Sequence, residues 1–131
     1  MIPPIELRKI AGARLKDAEV LLRSGRHDGS VYLCGYSVEI ALKARICRTL
    51  KWSGFPSTNK EFEGYQSFKT HNLDVLLRLS GVEAKIKTKL VAEWSAVGTW
   101  EPEARYRTIG SATAQDAAEM MRSAKAIMVA L

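Results

Sequence analysis

The sequence has 131 residues, of which 47% are hydrophobic, and this length fits one domain, residues 1–131, with a single core. Its formal net charge of +6, from 20 basic and 14 acidic residues, favours an anionic partner over a cationic one. The N-terminal sequence MIPPIELRK has no apolar run behind its charges, which argues against a signal peptide and a membrane span. We therefore expect a cytoplasmic protein that does not enter a membrane.

The first two predicted helices form a hairpin. Pro3 and Pro4 favour a helix start, and the apolar residues of the segment 5–24 recur on one face. Gly25 ends this helix, and a link of three residues leads to Asp28, a residue type that favours the N-cap position. So short a link predicts two antiparallel helices in contact.

The second predicted helix, over 28–52, is the longest in the chain and is apolar on two sides. We expect it to be the central element of a bundle, with a neighbouring helix packed closely against Gly35. An unpaired carboxylate at Glu39 would cost several kcal/mol in such a setting, so Glu39 needs a partner. Lys43, one turn later, is the nearest candidate, and Arg105 is a distant one. Cys34 and Cys47 lie roughly 20 Å apart on this helix, which predicts free core thiols.

The remaining helices are shorter or come late in the chain. The segment 53–69 is irregular, and it is either a functional loop or a connector that its aromatic residues attach to the bundle. Thr70 is predicted to cap a short helix over 71–79, and a further helix is predicted over 82–97. A capping box, Thr113 to Asp116, predicts the start of the last helix. Together these elements predict an all-α, up-and-down antiparallel bundle of four long helices and one short helix.

Several kinds of chemistry have no support in the sequence. His27 and His71 are the only histidines, and no HExxH or CxxC spacing is present, so no metal site is expected. The glycine-rich patterns that bind phosphates are absent, and no Ser or Cys has a His within a recognisable catalytic motif. We therefore expect no cofactor and no nucleophilic catalysis.

Four segments in this order resemble a known family: Asp17–Arg26, Tyr32–Ala44, Thr70–Leu73 and Trp100–Tyr106. Their most specific parts are the pattern GYxxExxLKA in the central helix and the connector from Trp to Arg-Tyr. With these segments in this order, the chain is similar to proteins with a HEPN domain (higher eukaryotes and prokaryotes nucleotide-binding). The resemblance implies a helical bundle, usually a homodimer, in a family that includes RNase toxins, antiphage effectors and partners of small nucleotidyltransferases.

The chain departs from the nuclease members of that family in one respect. Those members resemble one another in an Arg that is followed, after four to six residues, by a His on a late helix. Here Arg23 and His27 are separated by three residues and lie at the first hairpin, and no His follows Arg105. The metal-independent cleavage that the resemblance implies would therefore lack its usual acid or base.

Five residues remain as candidates for ligand binding: Glu39, Lys43, Trp100, Arg105 and Tyr106. In one interpretation Arg105 binds phosphate in a groove, Glu39 orients its guanidinium, and the aromatic faces stack on a base. In the other, Glu39 and Arg105 form a buried pair and both aromatic residues serve in packing. His71 is interpreted as a surface or capping residue.

The leading hypothesis is a dimeric HEPN-type module that binds a nucleotide or RNA, beside a nucleotidyltransferase partner in a toxin–antitoxin or defence pair. The first alternative is a metal-independent RNase that uses Arg105 with Glu39, Tyr106 or His71 as a substitute base. The second alternative is a structural protein whose apolar surface binds a partner. The sequence leaves open whether the protein is an enzyme.

Overall fold

The computed structural model describes residues 1–131 and confirms the all-α prediction. Six α-helices are present, and the only strand-like pairing is an isolated bridge between Ile2 and Phe55. The α-helices are α1 (Pro4–Arg23), α2 (His27–Leu50), α3 (Leu73–Leu79), α4 (Glu83–Lys89), α5 (Val91–Val97) and α6 (Ala114–Ala130), with short 3₁₀ helices at Gln66–Phe68 and Pro102–Tyr106. None of the helices is long and apolar enough to span a membrane.

The helices α1 and α2 form the predicted antiparallel hairpin. Gly25 adopts a φ of +73°, a left-handed conformation that favours glycine and allows the short link. Asp28 is not the N-cap of α2, contrary to the prediction, because the helix begins one residue earlier and Arg26 occupies that position. Instead the Asp28 carboxylate accepts hydrogen bonds from the backbone N–H groups of Gly110 (2.6 Å) and Ala112 (2.9 Å).

The helix α2 is the central element, as predicted, and it packs against α1, α3 and α6. Half of its 24 residues are buried, and they lie on more than one side of the helix. Gly35 does allow a close approach, but the neighbour is the Trp100 indole and not a helix, because a Cβ at this position would overlap that ring. Cys34 and Cys47 are free and buried, as predicted, and burial raises the pKa of the Cys34 thiol to about 12.

The segment between residues 70 and 97 differs from its prediction in two places. The third helix begins at Leu73, with Asn72 as its N-cap, so Thr70 does not cap it. The predicted helix over 82–97 is divided at Leu90, where φ is −128° and ψ is 42°. The bundle consequently contains three long helices and three of seven residues each.

The irregular segment 53–69 is attached to the bundle by its aromatic residues, which supports its interpretation as a connector. Phe55 and Phe62 are buried, and Phe68 packs 4.8 Å from Trp52, measured between ring centres. The last helix begins at the predicted capping box, in which the Thr113 hydroxyl accepts from the Asp116 N–H. These two segments enclose α2 from different sides and define the cavities described below.

Candidate functional site

The buried carboxylate of Glu39 has two cationic or ionisable partners. Its side chain is 2% exposed, and Oε2 lies 3.2 Å from the Lys43 Nζ. The Lys43 partner predicted from the helical spacing is therefore confirmed. The other oxygen, Oε1, lies 2.8 Å from the Nδ1 atom of His71, which reaches α2 from the connector before α3. A carboxylate with both oxygens engaged in this way is stabilised within the core.

The predicted contact between Glu39 and Arg105 is wrong. Arg105 lies in the second 3₁₀ helix, and its NH1 group donates to the Pro102 carbonyl at 3.3 Å. Its guanidinium also lies over the Tyr106 ring, 4.8 Å from the ring centre. His71 lies next to the Glu39 carboxylate, and Arg105 is exposed and has no acidic partner.

The interpretation of His71 as a surface residue holds only for part of its side chain. The side chain is 63% exposed, yet Nδ1 is within hydrogen-bonding distance of Glu39. When Nδ1 carries the proton it donates to the carboxylate, and Nε2 is then an acceptor. Glu39 thus orients an imidazole whose other nitrogen is free to contact a ligand.

The Glu39 cavity, as we name it, is a depression of about 560 Å3 between α1, α2 and the connector that follows α2. Glu39, Lys43, Lys69 and His71 provide its charged or ionisable groups. Its apolar wall includes Tyr36, Phe55, Phe62 and Phe68. Aromatic walls with a few convergent polar groups are typical of small-ligand sites, and the volume falls within their usual range.

A stripe of α2 connects this cavity to Arg105. Tyr32 and Tyr36 stack with their ring centres 6.2 Å apart, and both share a helix face with Glu39 and Lys43 through their three- and four-residue spacing. Contacts with the phenol oxygens, first that of Tyr106 and then that of Tyr32, raise the pKa of Arg105. The cavity and the exposed guanidinium therefore lie at the two ends of one tyrosine-lined surface.

The two aromatic candidates differ in their exposure. Trp100 is 6% exposed and packs against Gly35 and Tyr32, which favours its interpretation as a packing residue over that as a stacking face for a base. Tyr106 is 77% exposed, so its ring is accessible to a ligand.

A second depression, of about 470 Å3, continues from the Glu39 cavity. The two share Lys69, Thr70 and His71, and the second extends to Pro102 and Glu103 at the start of the 3₁₀ helix that carries Arg105. Together they provide an extended surface centred on His71. No group of three or more His, Cys, Asp or Glu residues in the chain is arranged to hold a metal ion.

Sequence reasoning missed Tyr32 and the contact made by His71. Tyr32, Tyr36, Glu39 and Lys43 follow one another at helical spacing, so their shared face could have been found from the sequence. The contact between His71 and Glu39 spans 32 positions, and no local pattern indicates it.

Comparison with known proteins gives one family. The family model described as the HEPN domain matches residues 5–59, which include α1, α2 and the start of the following connector. No curated protein and no solved structure gives a significant match to the chain. The family match supports a helical module related to nucleotides or RNA, in a family whose members often dimerise. Residues 5–59, which contain the helical hairpin and Glu39, are therefore similar to the HEPN domain.

Proposed function

We propose that the protein is a HEPN-type module that binds a nucleotide or single-stranded RNA at the Glu39 cavity and the tyrosine-lined surface beside it. One observation carries this proposal: a buried carboxylate holds Lys43 and His71 at the edge of an aromatic cavity. Lysine and histidine side chains bind phosphates, and aromatic rings stack on bases of any sequence. The net charge of +6 favours the approach of such an anionic ligand.

The exposed end of the surface extends the proposed site beyond one nucleotide. Arg105 has no acidic partner and lies over the Tyr106 ring. A phosphate can accept from this guanidinium while a base stacks on the outer face of Tyr106. We expect mononucleotides to use the Glu39 cavity alone and RNA to contact both ends.

The test is a binding titration with labelled single-stranded RNA and with a nucleoside triphosphate, followed by fluorescence anisotropy and calorimetry. The Arg105→Ala/Tyr106→Ala variant should weaken RNA binding by about tenfold or more, since one charged contact and one stacked base are lost. Nucleotide binding should change by less than about threefold, because the cavity is intact. The control is Lys89→Ala/Val91→Ala, which also removes one cation and one exposed apolar side chain. Equal binding by both variants would contradict the proposed RNA surface.

A second candidate function, metal-independent RNA cleavage, is favoured by the orientation of His71. With Nδ1 donating to Glu39, Nε2 is placed to accept the proton of a ribose 2′-OH, and Arg105 is available to the phosphate. Glu39 would then be a positioning residue, and neither Arg105 nor Tyr106 would act as the base.

This candidate is tested by incubating labelled RNA with the protein in EDTA. His71→Ala should abolish cleavage while RNA binding falls by less than about threefold, because the remaining cations still bind phosphate. Glu39→Gln should lower the cleavage rate and change its pH profile. If wild-type protein leaves RNA intact but bound, the protein is a binding module and not a nuclease.

The proposed partners are a second copy of the chain and a nucleotidyltransferase, in a toxin–antitoxin or defence pair. The family resemblance supports both. Sedimentation of the purified protein tests the homodimer. Co-expression with the nucleotidyltransferase of a neighbouring reading frame, followed by copurification at moderate salt, tests the second partner. A monomer that copurifies with no such enzyme would contradict both.

A further inference from the structure

A further cavity, of about 610 Å3 and separate from the two depressions described above, lies on the opposite side of α2 from Glu39. We call it the arginine groove, and it lies between α1, α2 and the end of α6. Its lining residues are Pro4, Arg8, Ala11, Gly12, Ala41, Ala44, Arg45, Arg48, Met128 and Leu131. At about 3.6 residues per turn, the α2 residues of this set face away from Glu39 and Lys43. The groove is therefore separate from the site proposed above.

The charged side chains of the groove are all basic, and the terminal carboxyl group of Leu131 lies beside Arg45. Arg8, Arg45 and Arg48 line it, and the lining contains no Asp or Glu. None of the three is paired with an Asp or Glu side chain, whereas arginines elsewhere on α1 and on α3 are paired with such carboxylates. Three guanidinium groups facing one cavity repel one another, and an anion between them would relieve that repulsion.

Arg45 is incompletely satisfied in the free protein. Its NH1 group donates to the Leu131 carbonyl at 3.0 Å, which fixes the side chain along the groove. Its Nε atom is buried and has no hydrogen-bond acceptor. Buried donors of this kind are rare in folded proteins, and they often indicate a position where a water or a ligand accepts.

Gly12 gives the groove its depth. A Cβ added at this position would meet no atom within 4 Å, so the space above the α1 backbone is open. The neighbouring positions Ala11, Ala41 and Ala44 also carry small side chains. The groove thus has a floor of small residues and arginines at its edges, with room for a group the size of a phosphate.

We propose that the arginine groove is a phosphate-binding site, distinct from the Glu39 cavity. The planar guanidinium offers paired N–H donors that match the oxygens of a phosphate, which is why arginine is frequent at such sites. The phosphate belongs either to the backbone of an RNA strand or to a free polyphosphate. Both sources share the same chemistry, and they differ in the number of contacts that extend beyond the groove.

The experiment compares two groove variants with one control, using inorganic pyrophosphate and a single-stranded RNA oligonucleotide as separate probes in calorimetry. Arg8→Gln/Arg48→Gln removes two exposed cations from the groove. Gly12→Leu fills the groove without changing the charge, at a helical position where the added Cβ meets no atom within 4 Å. Arg26→Gln/Arg122→Gln is the control, since both arginines are exposed, unpaired and outside the groove.

We expect both groove variants to weaken pyrophosphate binding by about tenfold or more, and the control by less than about threefold. If the groove binds an RNA strand, the slope of log K against log salt also falls by about 1.4 in the double groove variant, or about 0.7 for each lost contact. A free polyphosphate is indicated if pyrophosphate binding falls and RNA binding does not.

The proposal is wrong if pyrophosphate fails to bind the wild-type protein, or if the groove variants and the control behave alike. It is also wrong if the groove variants change only the sedimentation coefficient, since the groove would then be an interface between copies of the chain. Failure of the Glu39 cavity is distinguishable, because Tyr36→Ala changes the lining of that cavity and leaves the groove intact.

Discussion

Gly35 is the position at which one added methyl group would disturb α2 most. A Cβ there overlaps the Trp100 ring, so Gly35→Ala requires the indole to move. Overpacking costs about 2–3 kcal/mol, and the better helix propensity of alanine offsets about 1 kcal/mol of it. We expect the free energy of unfolding to fall by about 1–2 kcal/mol, measured by urea denaturation.

The matched control is Gly12→Ala, also in a helix interior but with open space at the Cβ position. It should raise the free energy of unfolding by about 0.5–1 kcal/mol, because alanine restricts the unfolded chain and favours the helix. Two glycine variants of equal stability would show that the indole does not constrain Gly35.

The ion pair between Glu39 and Lys43 leads to a second prediction about stability at the scale of single residues. Lys43→Met removes one partner and leaves a carboxylate that is 2% exposed with His71 alone. Breaking a buried pair costs about 3–5 kcal/mol, and we expect about 2–3 kcal/mol here because His71 remains and Lys43 is partly exposed. Glu39→Met/Lys43→Met should be more stable than the single variant, since no unpaired charge is left. If the double variant were the less stable one, the pair itself would be stabilising the fold.

Three helices could be predicted from the sequence. Each has a long apolar pattern that is bounded by Gly, Pro or a capping box. For α1, α2 and α6 the predicted helices were correct, with ends differing by at most about two residues. The break at Leu90 could not be predicted, because no Gly or Pro marks it and Ile86, Leu90 and Trp94 keep helical spacing across it. The backbone N–H of Leu90 still bonds to Ile86, so a change at one residue divides the helix.

Asp28 joins two elements that are distant in sequence, and this contact depends on pH. Hydrogen bonds from the Gly110 and Ala112 N–H groups hold the pKa of Asp28 below its usual 3.8. A lowered pKa in the folded state stabilises the fold above the unfolded value of 3.8, and that stabilisation is lost as the pH falls through the folded pKa. We expect Asp28→Asn to be less stable than wild type at pH 6, with the difference shrinking towards pH 2.

The control for this pH dependence is Glu63→Gln, which replaces an exposed carboxylate that forms no hydrogen bond or ion pair. The difference in the free energy of unfolding between Glu63→Gln and wild type should stay constant between pH 6 and pH 2. Chemical denaturation at a series of pH values measures both variants. A constant difference for Asp28→Asn would mean that the bonds to the segment before α6 do not stabilise the fold.

At the scale of the whole molecule, some contacts of the candidate site could be predicted from the sequence and others could not. Glu39 and Lys43 were found because one turn of helix relates them, and a local pattern is enough for that contact. The partnership of Glu39 with His71, and the burial of Trp100, depend on how the connectors fold back onto α2. Such contacts depend on chain topology and cannot be predicted from sequence spacing. For this reason the sequence indicated Arg105, and not His71, as the distant partner of Glu39.

The proposed binding function predicts that ligand stabilises the whole fold. A ligand that binds only the folded state at 100 times its Kd adds about 2.7 kcal/mol to the free energy of unfolding. For a domain of this size the Tm should rise by on the order of 10 °C, measured by calorimetry with a saturating nucleotide. Tyr36→Ala should lose most of this increase, because Tyr36 lines the Glu39 cavity, whereas Tyr65→Ala should retain it, because Tyr65 lies outside the cavity. An unchanged Tm for wild type, with RNA as well as with nucleotide, would instead favour a structural protein that binds neither.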